Sequence, residues 1–580
     1  MRRSQSVPRT DPGMMILLAL MGAFAALGLG AWAALTLSQK LTGQPQHSVP
    51  INPFELFIGL YQGHIQWTVT ATGISVLMAV IVVILVTAWA LLAAPKKDAA
   101  GIDSISHLLA SSTERATLSK SHAARKAAAW LPSTLATTHP GLMFGWKPGS
   151  KRKTEYWSTW EDLYLIIFGP RRGKTTSQVI PAIVDAPGNV VTTSNKRDIV
   201  DDTIGITQAR GQVWVFDPQN IAAGFQQRVW YFDPLDAIRH TMRLADAQAY
   251  KLADIFYAAS RAEGAPTGDS YFSSAAKDLL ARLFLAAAVD NRPISDVFGW
   301  VNNDQDRAPI GILRRYPEWQ QLADALNATY NITERTRSGI FSQAAQMAAP
   351  LGRREAVRWV TGDGYAVKFN AADFVRGKAD TLYVLSKEGA DNAAALTTAL
   401  VAAVMEAAER YGEECGGRLP VPLVAPLDEA ANVVRWPELP RLYSHYGSRS
   451  IILMTILQSY AQGVGVWGEH GMESLWSAAT VLIYGGGVRD EKMLTKLEAL
   501  IGEAQELSRS ASRSRDGRST SYQLHEKKIL TIAELAALES HRAVVFATSR
   551  RPVLIELPYY WLRPWPRHIR QLLRLEKDKP

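Results

Sequence analysis

The sequence Leu163-Tyr-Leu-Ile-Ile-Phe-Gly-Pro-Arg-Arg-Gly-Lys-Thr-Thr176 determines how the rest of the chain is interpreted. Its first six residues form an unbroken apolar run of strand length, which is typical of a strand buried on both faces of a sheet. A turn of glycine, proline and arginine follows, and the residues from Ser177 onward are expected to form a helix. This order places the backbone N–H groups of a loop at the start of a helix, where anions bind.

The residue types of this loop predict that it holds the phosphates of ATP. Lys174 is placed to reach the outer phosphates, and the hydroxyl group of Thr175 can ligate Mg²⁺. Three residues separate the two glycines where the usual pattern has four, so Phe168 stands at the first glycine position. Either the turn is one residue tighter or it tolerates phenylalanine. The alternative is a basic turn that binds no nucleotide. The predicted nucleotide contacts are Gly169, Pro170, Arg171, Arg172, Gly173, Lys174, Thr175 and Thr176.

Similar apolar runs recur along the chain, and most of them are separated by helical stretches. This alternation predicts an α/β fold with a largely parallel sheet. The segment between residues 237 and 365 lacks strand-like runs, so we interpret it as an all-α insertion. The other predicted strands are residues 189–193, 212–216, 229–232, 381–385, 423–427, 450–456, 480–484 and 543–547.

Polar residues follow two of these runs at the point where a ligand would be held. Asp428 and Glu429 end the run that begins at Pro422, and Gln458 ends the next run. We predict that Asp428 holds Mg²⁺, that Glu429 is the general base for the attacking water, and that Gln458 senses the γ-phosphate. An acidic pair at a strand end can instead cap a helix.

Two uncharged apolar runs, residues 14–37 and 71–94, precede this region. Each is long enough to cross a bilayer as a helix. A cleaved signal peptide is the alternative for the first run, but that run is too long for one. Arginines precede the first run and lysines follow the second, so we predict a membrane hairpin with both termini in the cytoplasm.

The composition sets limits on the remaining 480 or so residues. The chain of 580 residues is 47% apolar with a net charge of +9, so general disorder is excluded. Its single cysteine, Cys415, excludes an intrachain disulfide framework and a cysteine-rich zinc site. The predicted domains are an N-terminal tail and hairpin (1–97), a linker (98–160), the α/β domain (161–236 and 366–562), the insertion (237–365) and a basic tail (563–580).

These motifs occur in an order that resembles the coupling-protein ATPases of type IV secretion and bacterial conjugation, the TraG/TraD-like group. The resemblance rests on the two apolar runs, the phosphate loop, Leu427-Asp-Glu-Ala-Ala-Asn432, Met454-Thr-Ile-Leu-Gln-Ser-Tyr-Ala-Gln462, Lys528-Ile-Leu-Thr-Ile-Ala-Glu-Leu535, Arg551-Pro-Val-Leu and Pro558-Tyr-Tyr560. It covers residues 160 to 562. It implies a RecA-like P-loop nucleotide-binding domain with an inserted all-α domain and a membrane anchor.

The resemblance also implies a function. It predicts a P-loop ATPase of the bacterial inner membrane that forms a ring, expected to be a hexamer. Such a ring couples DNA or a relaxase–DNA complex to the channel proteins of type IV secretion and energises transfer by ATP hydrolysis. A neighbouring subunit often supplies an arginine to such a site. Arg449 is the residue that we select for this role, with Arg441 and Arg435 as alternatives.

Two basic segments are predicted to contact DNA through its phosphates. Residues 508–521 are polar and basic and are expected to form a mobile loop, and the tail is basic and contains two tryptophans. Both segments could instead bind an anionic membrane surface. The basic residues concerned are Arg509, Arg513, Arg515 and Arg518 in the loop and Arg563, Arg567, Arg570 and Arg574 in the tail.

Two other functions remain open from the sequence. One is an FtsK-like DNA translocase, which is expected to carry a larger membrane domain and a C-terminal winged helix. The other is a membrane docking platform that recruits secreted protein and hydrolyses ATP weakly, because the phosphate loop is shortened. ATPase activity that DNA stimulates distinguishes a motor from a docking platform.

Overall fold

The structure is a computed structural model that describes residues 12–43, 49–93, 101–150, 152–224, 230–261, 271–362, 364–387, 393–514 and 517–573. The chain forms two compact units, Met1–Asp98 and Ala99–Pro580. Each unit is described by itself below.

The first unit contains three helices: α1 (Pro12–Thr42), α2 (Pro53–Tyr61) and α3 (Val69–Ala93). The helices α1 and α3 coincide with the two apolar runs of the sequence, and the Ser38 hydroxyl of α1 lies 2.7 Å from the hydroxyl of Thr68, beside the start of α3. Among the residues that the structure describes, however, no helix combines the length and apolar character required to span a bilayer. The predicted transmembrane hairpin therefore has no support from the structure.

The second unit is built on an eleven-stranded mixed sheet. Its central strands are buried on both faces, as the unbroken apolar runs predict. The strands of the unit are β1 (Met143–Trp146), β2 (Glu155–Trp157), β3 (Tyr164–Ile167), β4 (Val190–Ser194), β5 (Val213–Phe216), β6 (Trp230–Tyr231), β7 (Val367–Lys368), β8 (Thr381–Leu385), β9 (Leu423–Leu427), β10 (Ile451–Leu457), β11 (Val481–Tyr484), β12 (Glu503–Ser514), β13 (Gly517–Lys528), β14 (Arg542–Ala547) and β15 (Val553–Glu556).

The strand order in the large sheet is β2-β1-β15-β14-β11-β3-β10-β9-β4-β8-β5. The strands from β11 to β5 pair in parallel, whereas β14, β15, β1 and β2 are added antiparallel at one side. The predicted α/β class with a largely parallel sheet is thus confirmed for the central strands. Because β9, β10 and β3 are neighbours, their carboxyl ends meet at one edge of the sheet.

Helices flank both faces of the sheet and form the segment between β6 and β7. The loop after β3 leads into a short π-helix, Thr175–Val179, before α7 begins. The helices are α4 (Ser112–Ala116), α5 (Lys120–Ala128), α6 (Ser133–Thr138), α7 (Ile180–Asp185), α8 (Asp198–Arg210), α9 (Asp236–His240), α10 (Ala245–Ser260), α11 (Tyr271–Val289), α12 (Ser295–Val301), α13 (Ala308–Arg314), α14 (Gln320–Asn331), α15 (Glu334–Met347), α16 (Arg354–Val357), α17 (Ala371–Arg376), α18 (Ala394–Glu414), α19 (Ala430–Val433), α20 (Leu439–Leu442), α21 (Tyr460–Ala478), α22 (Glu491–Ile501), α23 (Ile532–Ala536) and α24 (Arg567–Leu572).

From α9 to α16, the regular elements among the residues that the structure describes are helices, and a small two-stranded sheet brings the two ends of this segment together. The strands β6 and β7 pair in parallel, with Trp230 opposite Val367. Aromatic rings hold this sheet on the edge strand β5, because Trp230 packs edge-on against Trp214 and Trp359. The strand predicted at residues 229–232 is thus observed at Trp230 and Tyr231, but it pairs with β7 and does not join the large sheet, and Val229 lies outside the described residues.

Two further predictions differ from the structure. The expected linker contains β1 and β2, which join the large sheet through pairing with β15, a strand some 400 residues away that no local pattern reveals. Of the expected mobile loop, residues 508–514 and 517–521 lie instead within β12 and β13, which form a separate two-stranded ribbon. Alternation of arginine with small polar residues suits a two-stranded ribbon as well as it suits a loop. Arg515 and Arg574 lie outside the described residues.

Candidate nucleotide-binding site

The phosphate loop follows β3 directly, and Phe168 occupies the position where the usual pattern has glycine. The Phe168 side chain is fully buried, and its backbone N–H donates to the Leu457 carbonyl oxygen at 3.1 Å. A Cβ atom on Gly485 would overlap the Phe168 ring. The loop thus tolerates phenylalanine because the glycine after β11 leaves room for its ring.

Arg172 holds the loop against the neighbouring segments and does not extend into the nucleotide site. Its Nε donates to the Gly485 carbonyl oxygen at 3.1 Å, and its guanidinium also donates to the carbonyl oxygens of Leu538 and Glu539. The carbonyl group of Gly487 lies so close to Gly169 that a side chain there would overlap it. Arg172 and Gly169 were both predicted to contact the nucleotide. In the structure they fix the shape of the loop through their contacts with the neighbouring segments.

The loop residues Pro170, Arg171 and Gly173 are distinguished by their exposure or by their backbone conformation. Pro170 and Arg171 are exposed, and Arg171 has a left-handed backbone with φ 58°. Gly173 also has a positive φ, 79°, and its carbonyl oxygen accepts a hydrogen bond from the Thr176 hydroxyl at 3.1 Å. The positive φ angles of Arg171 and Gly173 make this loop a tight turn, which opens onto the carboxyl edge of the sheet.

Lys174 and Thr175 contact the two carboxylates that follow β9. The Lys174 ammonium group forms an ion pair with Glu429 and lies 3.3 Å from Asp428 Oδ1. The Thr175 hydroxyl donates to Asp428 Oδ2 at 2.8 Å. Lys174 and Thr175 are each more than 250 positions from their carboxylate partners in the sequence. The two pairs meet because β3 and β9 flank the same strand, β10.

Burial governs the charges in this cluster. It disfavours the Lys174 ammonium form, but the attraction of Asp428 and Glu429 outweighs that effect and raises the pKa of Lys174. Burial also raises the pKa of Asp428, although Lys174 opposes the change. Breaking one partner of such a buried pair leaves the other charge uncompensated. The cluster therefore holds together only while a cation faces the two carboxylates.

Glu429 has a left-handed backbone, with φ 53° and ψ 42°. A non-glycine residue in this region is uncommon and occurs often at functional sites. Gln458 lies at the end of β10, and its Nε2 donates to both Glu429 carboxylate oxygens at 2.9 Å. The strand ends thus bring Gln458 to the carboxylate predicted as general base.

Two residues of this site were not predicted from the sequence. Asn432 Nδ2 lies 3.5 Å from Glu429 Oε2, and Gln462 Oε1 accepts a hydrogen bond from the Gln458 backbone N–H at 3.0 Å. Asn432 follows Glu429 by three positions and Gln462 follows Gln458 by four, the spacings that place side chains on one helix face. These spacings were the available signal.

The predicted arginine is remote from this cluster in its own chain. Arg449 precedes β10, and its guanidinium forms ion pairs with Glu409 at 2.9 Å and Glu413 at 2.8 Å. The seven residues of β10 separate it from Gln458, a distance of roughly 20 Å. Arg435 and Arg441 line a cavity beside the cluster. A role for any of them toward a neighbouring subunit stays a prediction.

Arg563 does not contact DNA as predicted, because it is buried beneath the helix that follows the phosphate loop. It is 3% exposed and donates to the Ser177 carbonyl oxygen at 3.0 Å and to Asp185 Oδ2 at 3.2 Å. Burial lowers the pKa of Arg563 to about 10 despite the attraction of Asp185. The tail residues Arg567 and Arg570 lie on α24 and are exposed.

The oxygen atoms at the carboxyl edge of the sheet are of the kind that binds Mg²⁺. The Thr175 hydroxyl and the Asp428 carboxylate are oxygen ligands, and Mg²⁺ is commonly held by one or two protein oxygens together with phosphate. In the ranges that the structure describes, no group of three or more His, Cys, Asp or Glu side chains forms a metal site of its own. The fold is α/β, and a lysine, a hydroxyl group and two carboxylates meet at the carboxyl edge of its large sheet.

Comparison with known proteins finds a family-model match over part of the chain and solved structures of similar fold. Residues 422–540 match the family model described as the TraM recognition site of TraD and TraG. The structure is similar to the unbound bacterial conjugative coupling protein TrwBdeltaN70, with 16% identity, a TM-score of 0.51 and coverage of 69% of this chain and 85% of that one. No curated protein is significantly similar in sequence.

A second solved structure, the plasmid coupling protein TrwB in complex with ADP and Mg²⁺, matches with 17% identity and a TM-score of 0.50. The match covers 69% of this chain and 85% of the TrwB chain. The family match and the shared fold confirm the predicted resemblance to the coupling proteins of type IV secretion.

Proposed function

We propose that this chain is an ATPase that couples DNA or a DNA–protein complex to a type IV secretion channel. The observation that carries the proposal is the meeting of Lys174, Thr175, Asp428, Glu429 and Gln458 at one sheet edge. These are the side-chain types that phosphoryl transfer requires, namely a phosphate-binding cation, metal ligands, a base and a group that orients water.

In the proposed mechanism, each residue has a distinct task. Lys174 exchanges its ion pair with Glu429 for the outer phosphates of ATP, which carry more negative charge. Thr175 and Asp428 hold Mg²⁺, which neutralises phosphate charge when bound. Glu429, released from Lys174, accepts a proton from water, and Gln458 orients that water toward the γ-phosphorus atom.

The proposal also includes a DNA partner and assembly of the chain into a ring. The family model that matches residues 422–540 is named for recognition of TraM, and this supports a role in docking a nucleoprotein substrate. The ribbon of β12 and β13 lies in the same region, and its register places Arg513 opposite Arg518 and Arg509 opposite Tyr522. Arginine and aromatic residues are the types that bind single-stranded nucleic acid.

A bacterial inner-membrane location with both termini in the cytoplasm is also part of the proposal, and it rests on the sequence alone. Its support is the pair of uncharged runs and the basic residues that flank them. A reporter fused after Gln44 is expected outside the cytoplasm, and one fused after Lys97 is expected inside. The reverse result would overturn the topology.

The experiment that tests the function is ATP hydrolysis by the full-length chain with and without single-stranded DNA. We expect hydrolysis that DNA stimulates and that Lys174→Ala abolishes. Arg335→Ala, which changes an exposed basic residue of the insertion outside the cluster and outside both basic segments, serves as the control. Full hydrolysis in the Lys174 variant would exclude the proposed site.

A docking platform that hydrolyses ATP weakly is a second candidate, and one observation favours it. The Lys174–Glu429 ion pair closes the site, so ATP must break this pair before it binds. Binding of ATP without turnover in the wild-type chain, with or without DNA, would favour the platform over the motor.

A further inference from the structure

A cavity of about 330 Å³ lies next to the proposed base, between the insertion helices and the nucleotide-binding strands. One side is formed by α10 and α11, where Tyr257 and Lys277 line it. The opposite side is formed by α19 and α21, where Asn432 and Gln462 line it. The two amide side chains thus face the insertion across this cavity.

The same two amides belong to a closed ring of hydrogen bonds around Glu429. Gln462 Nε2 donates to Asn432 Oδ1 at 3.2 Å, and Asn432 Nδ2 lies 3.5 Å from Glu429 Oε2. Gln458 completes the ring, because it donates to Glu429 through its side chain and to Gln462 through its backbone N–H. Every member of the ring has a neighbour on each side.

Arg435 connects the insertion with the short helix that carries Asn432. Its Nε donates to the Ala431 carbonyl oxygen at 3.2 Å, and its Nη1 donates to the Arg261 carbonyl oxygen at 2.6 Å. Arg261 directly follows α10, so one guanidinium bridges the end of an insertion helix and α19. The helix α19 has four residues and follows the left-handed Glu429, so its position depends on such external contacts.

We propose that Asn432 and Gln462 are positioning residues for hydrolysis: they hold Glu429 and Gln458 in the geometry that activates water and link that geometry to the insertion. This inference rests on the proposed ATPase function and deepens it. The ring joins both amides to Glu429 and Gln458, the residues proposed to activate water, so loss of either amide is expected to lower turnover more than nucleotide affinity. The ring acts as one unit, because each amide both donates and accepts.

The test is a double-mutant cycle in the full-length chain with Asn432→Ala, Gln462→Ala and the double variant. We expect each single variant to lower kcat about 10-fold or more while the KM for ATP changes less than about twofold. The double variant is expected to lose no more than the more severe single variant, because both amides act in one ring. Gln346→Ala, which removes an exposed amide on insertion helix α15, is the control.

Gln462→Met keeps the side-chain length but removes the amide, and it is expected to behave as Gln462→Ala does. Gln462→Glu retains the acceptor for the Gln458 N–H and is expected to recover part of kcat. Because Asn432 is buried, its loss could unfold the protein, and then the half-buried Gln462 decides the result. Thermal unfolding of every variant identifies that case.

Three outcomes separate the two proposals. Absence of hydrolysis in the wild-type chain would overturn the proposed function. Normal hydrolysis in the wild-type chain together with unchanged kcat in the folded Gln462 variants would overturn the positioning role alone. A proportional rise in KM, or strictly additive losses in the double variant, would also overturn it, because independent structural damage has those signatures.

Discussion

Arg563 binds Asp185 at 3.2 Å, and this ion pair joins the end of the chain to the end of the helix that follows the phosphate loop. Trp565 Nε1 donates to the other oxygen of the same carboxylate at 2.7 Å. Around the pair, Ile180, Val184 and Ile206 pack against Tyr560 and Trp565. The C-terminal segment therefore supports the phosphate loop from behind, and the first prediction concerns this support.

Arg563→Ala is expected to lower the free energy of unfolding by about 3–5 kcal/mol, since the partly buried Asp185 carboxylate loses its ion pair with Arg563. Chemical denaturation measures the change. Arg567→Ala, on the exposed side of the same tail, is expected to stay within about 0.5 kcal/mol of wild type. The double change Arg563→Met with Asp185→Leu should regain most of the loss. If it is as unstable as Arg563→Ala, the ion pair is not the cause.

Glu429→Gln is expected to retain ATP binding and to lower kcat by about 100-fold or more, because an amide cannot accept the proton of the attacking water. The amide also forms no ion pair with Lys174, so the affinity for ATP should be equal to that of wild type or higher. Equilibrium binding of a fluorescent ATP analogue and single-turnover hydrolysis give the two quantities. Glu413→Gln, an exposed partner of Arg449, is the matched control. Loss of nucleotide binding would argue against the assignment of Glu429.

Gly485→Ala is expected to destabilise the protein by about 1–3 kcal/mol and to weaken ATP binding, because the new methyl group overlaps the Phe168 ring beneath the loop. Gly299→Ala is the control, because nothing lies near a Cβ atom at that helical position. It should be neutral or stabilising by about 0.5–1 kcal/mol. Equal behaviour of the two variants would mean that Phe168 does not support the loop.

The stability of the segment before β1 is expected to depend on pH through Glu114. Hydrogen bonds from Ser111 and then from Arg551 lower the pKa of Glu114 from 4.5 to about 2. Because the folded pKa is the lower one, this contribution is complete above about pH 4.5 and is lost as the pH falls toward 2. Glu114→Gln should therefore reduce the urea midpoint at about pH 6 and leave it nearly unchanged near pH 2. An equal reduction at both pH values would contradict the assignment.

The triple change of Arg509, Arg513 and Arg518 to serine is expected to weaken binding of single-stranded DNA. It should also lower the slope of log K against log salt by about 0.7 for each phosphate that the arginines no longer neutralise. The matched control is the double change of Arg335 and Arg354 to serine, two exposed arginines of the insertion outside both basic segments. An unchanged slope in the triple variant, with reduced binding to vesicles of anionic lipid, would identify the ribbon as a membrane-binding surface.

Much of the central sheet and the nucleotide site was predictable from the sequence because the signals are local. Buried parallel strands are continuous apolar runs, and the residues at their carboxyl ends must meet wherever the strands are neighbours. Lys174 was predicted from the residue types of the loop after one such run, and Asp428 from the acidic pair that ends another. The position of Phe168 was ambiguous because the space for its ring comes from Gly485, a residue that follows another strand.

Other features depend on pairing between distant segments, which one sequence does not show. The strand β1 is short and flanked by prolines, and it becomes part of the sheet only through β15. Arg563 was predicted to contact DNA as part of the basic tail, and its burial follows from its bonds to Asp185 and Ser177, which are distant in the sequence. The ribbon was missed because serine and arginine are common in loops, although the Asp-Gly pair at residues 516–517 is a typical hairpin signal.

The helical insertion is distinct from the sheet in topology, because β6 and β7 pair at its two ends, but it is not distinct in stability. The helical insertion leaves and rejoins the domain at adjacent strands, as an independent module would. Its apolar residues, however, belong to the same continuous core as the sheet; Phe256 and Phe284 of the insertion share that core with Leu427 and Leu453. Insertion and sheet should consequently melt in a single cooperative step. A ligand that binds either part will raise the melting temperature of both.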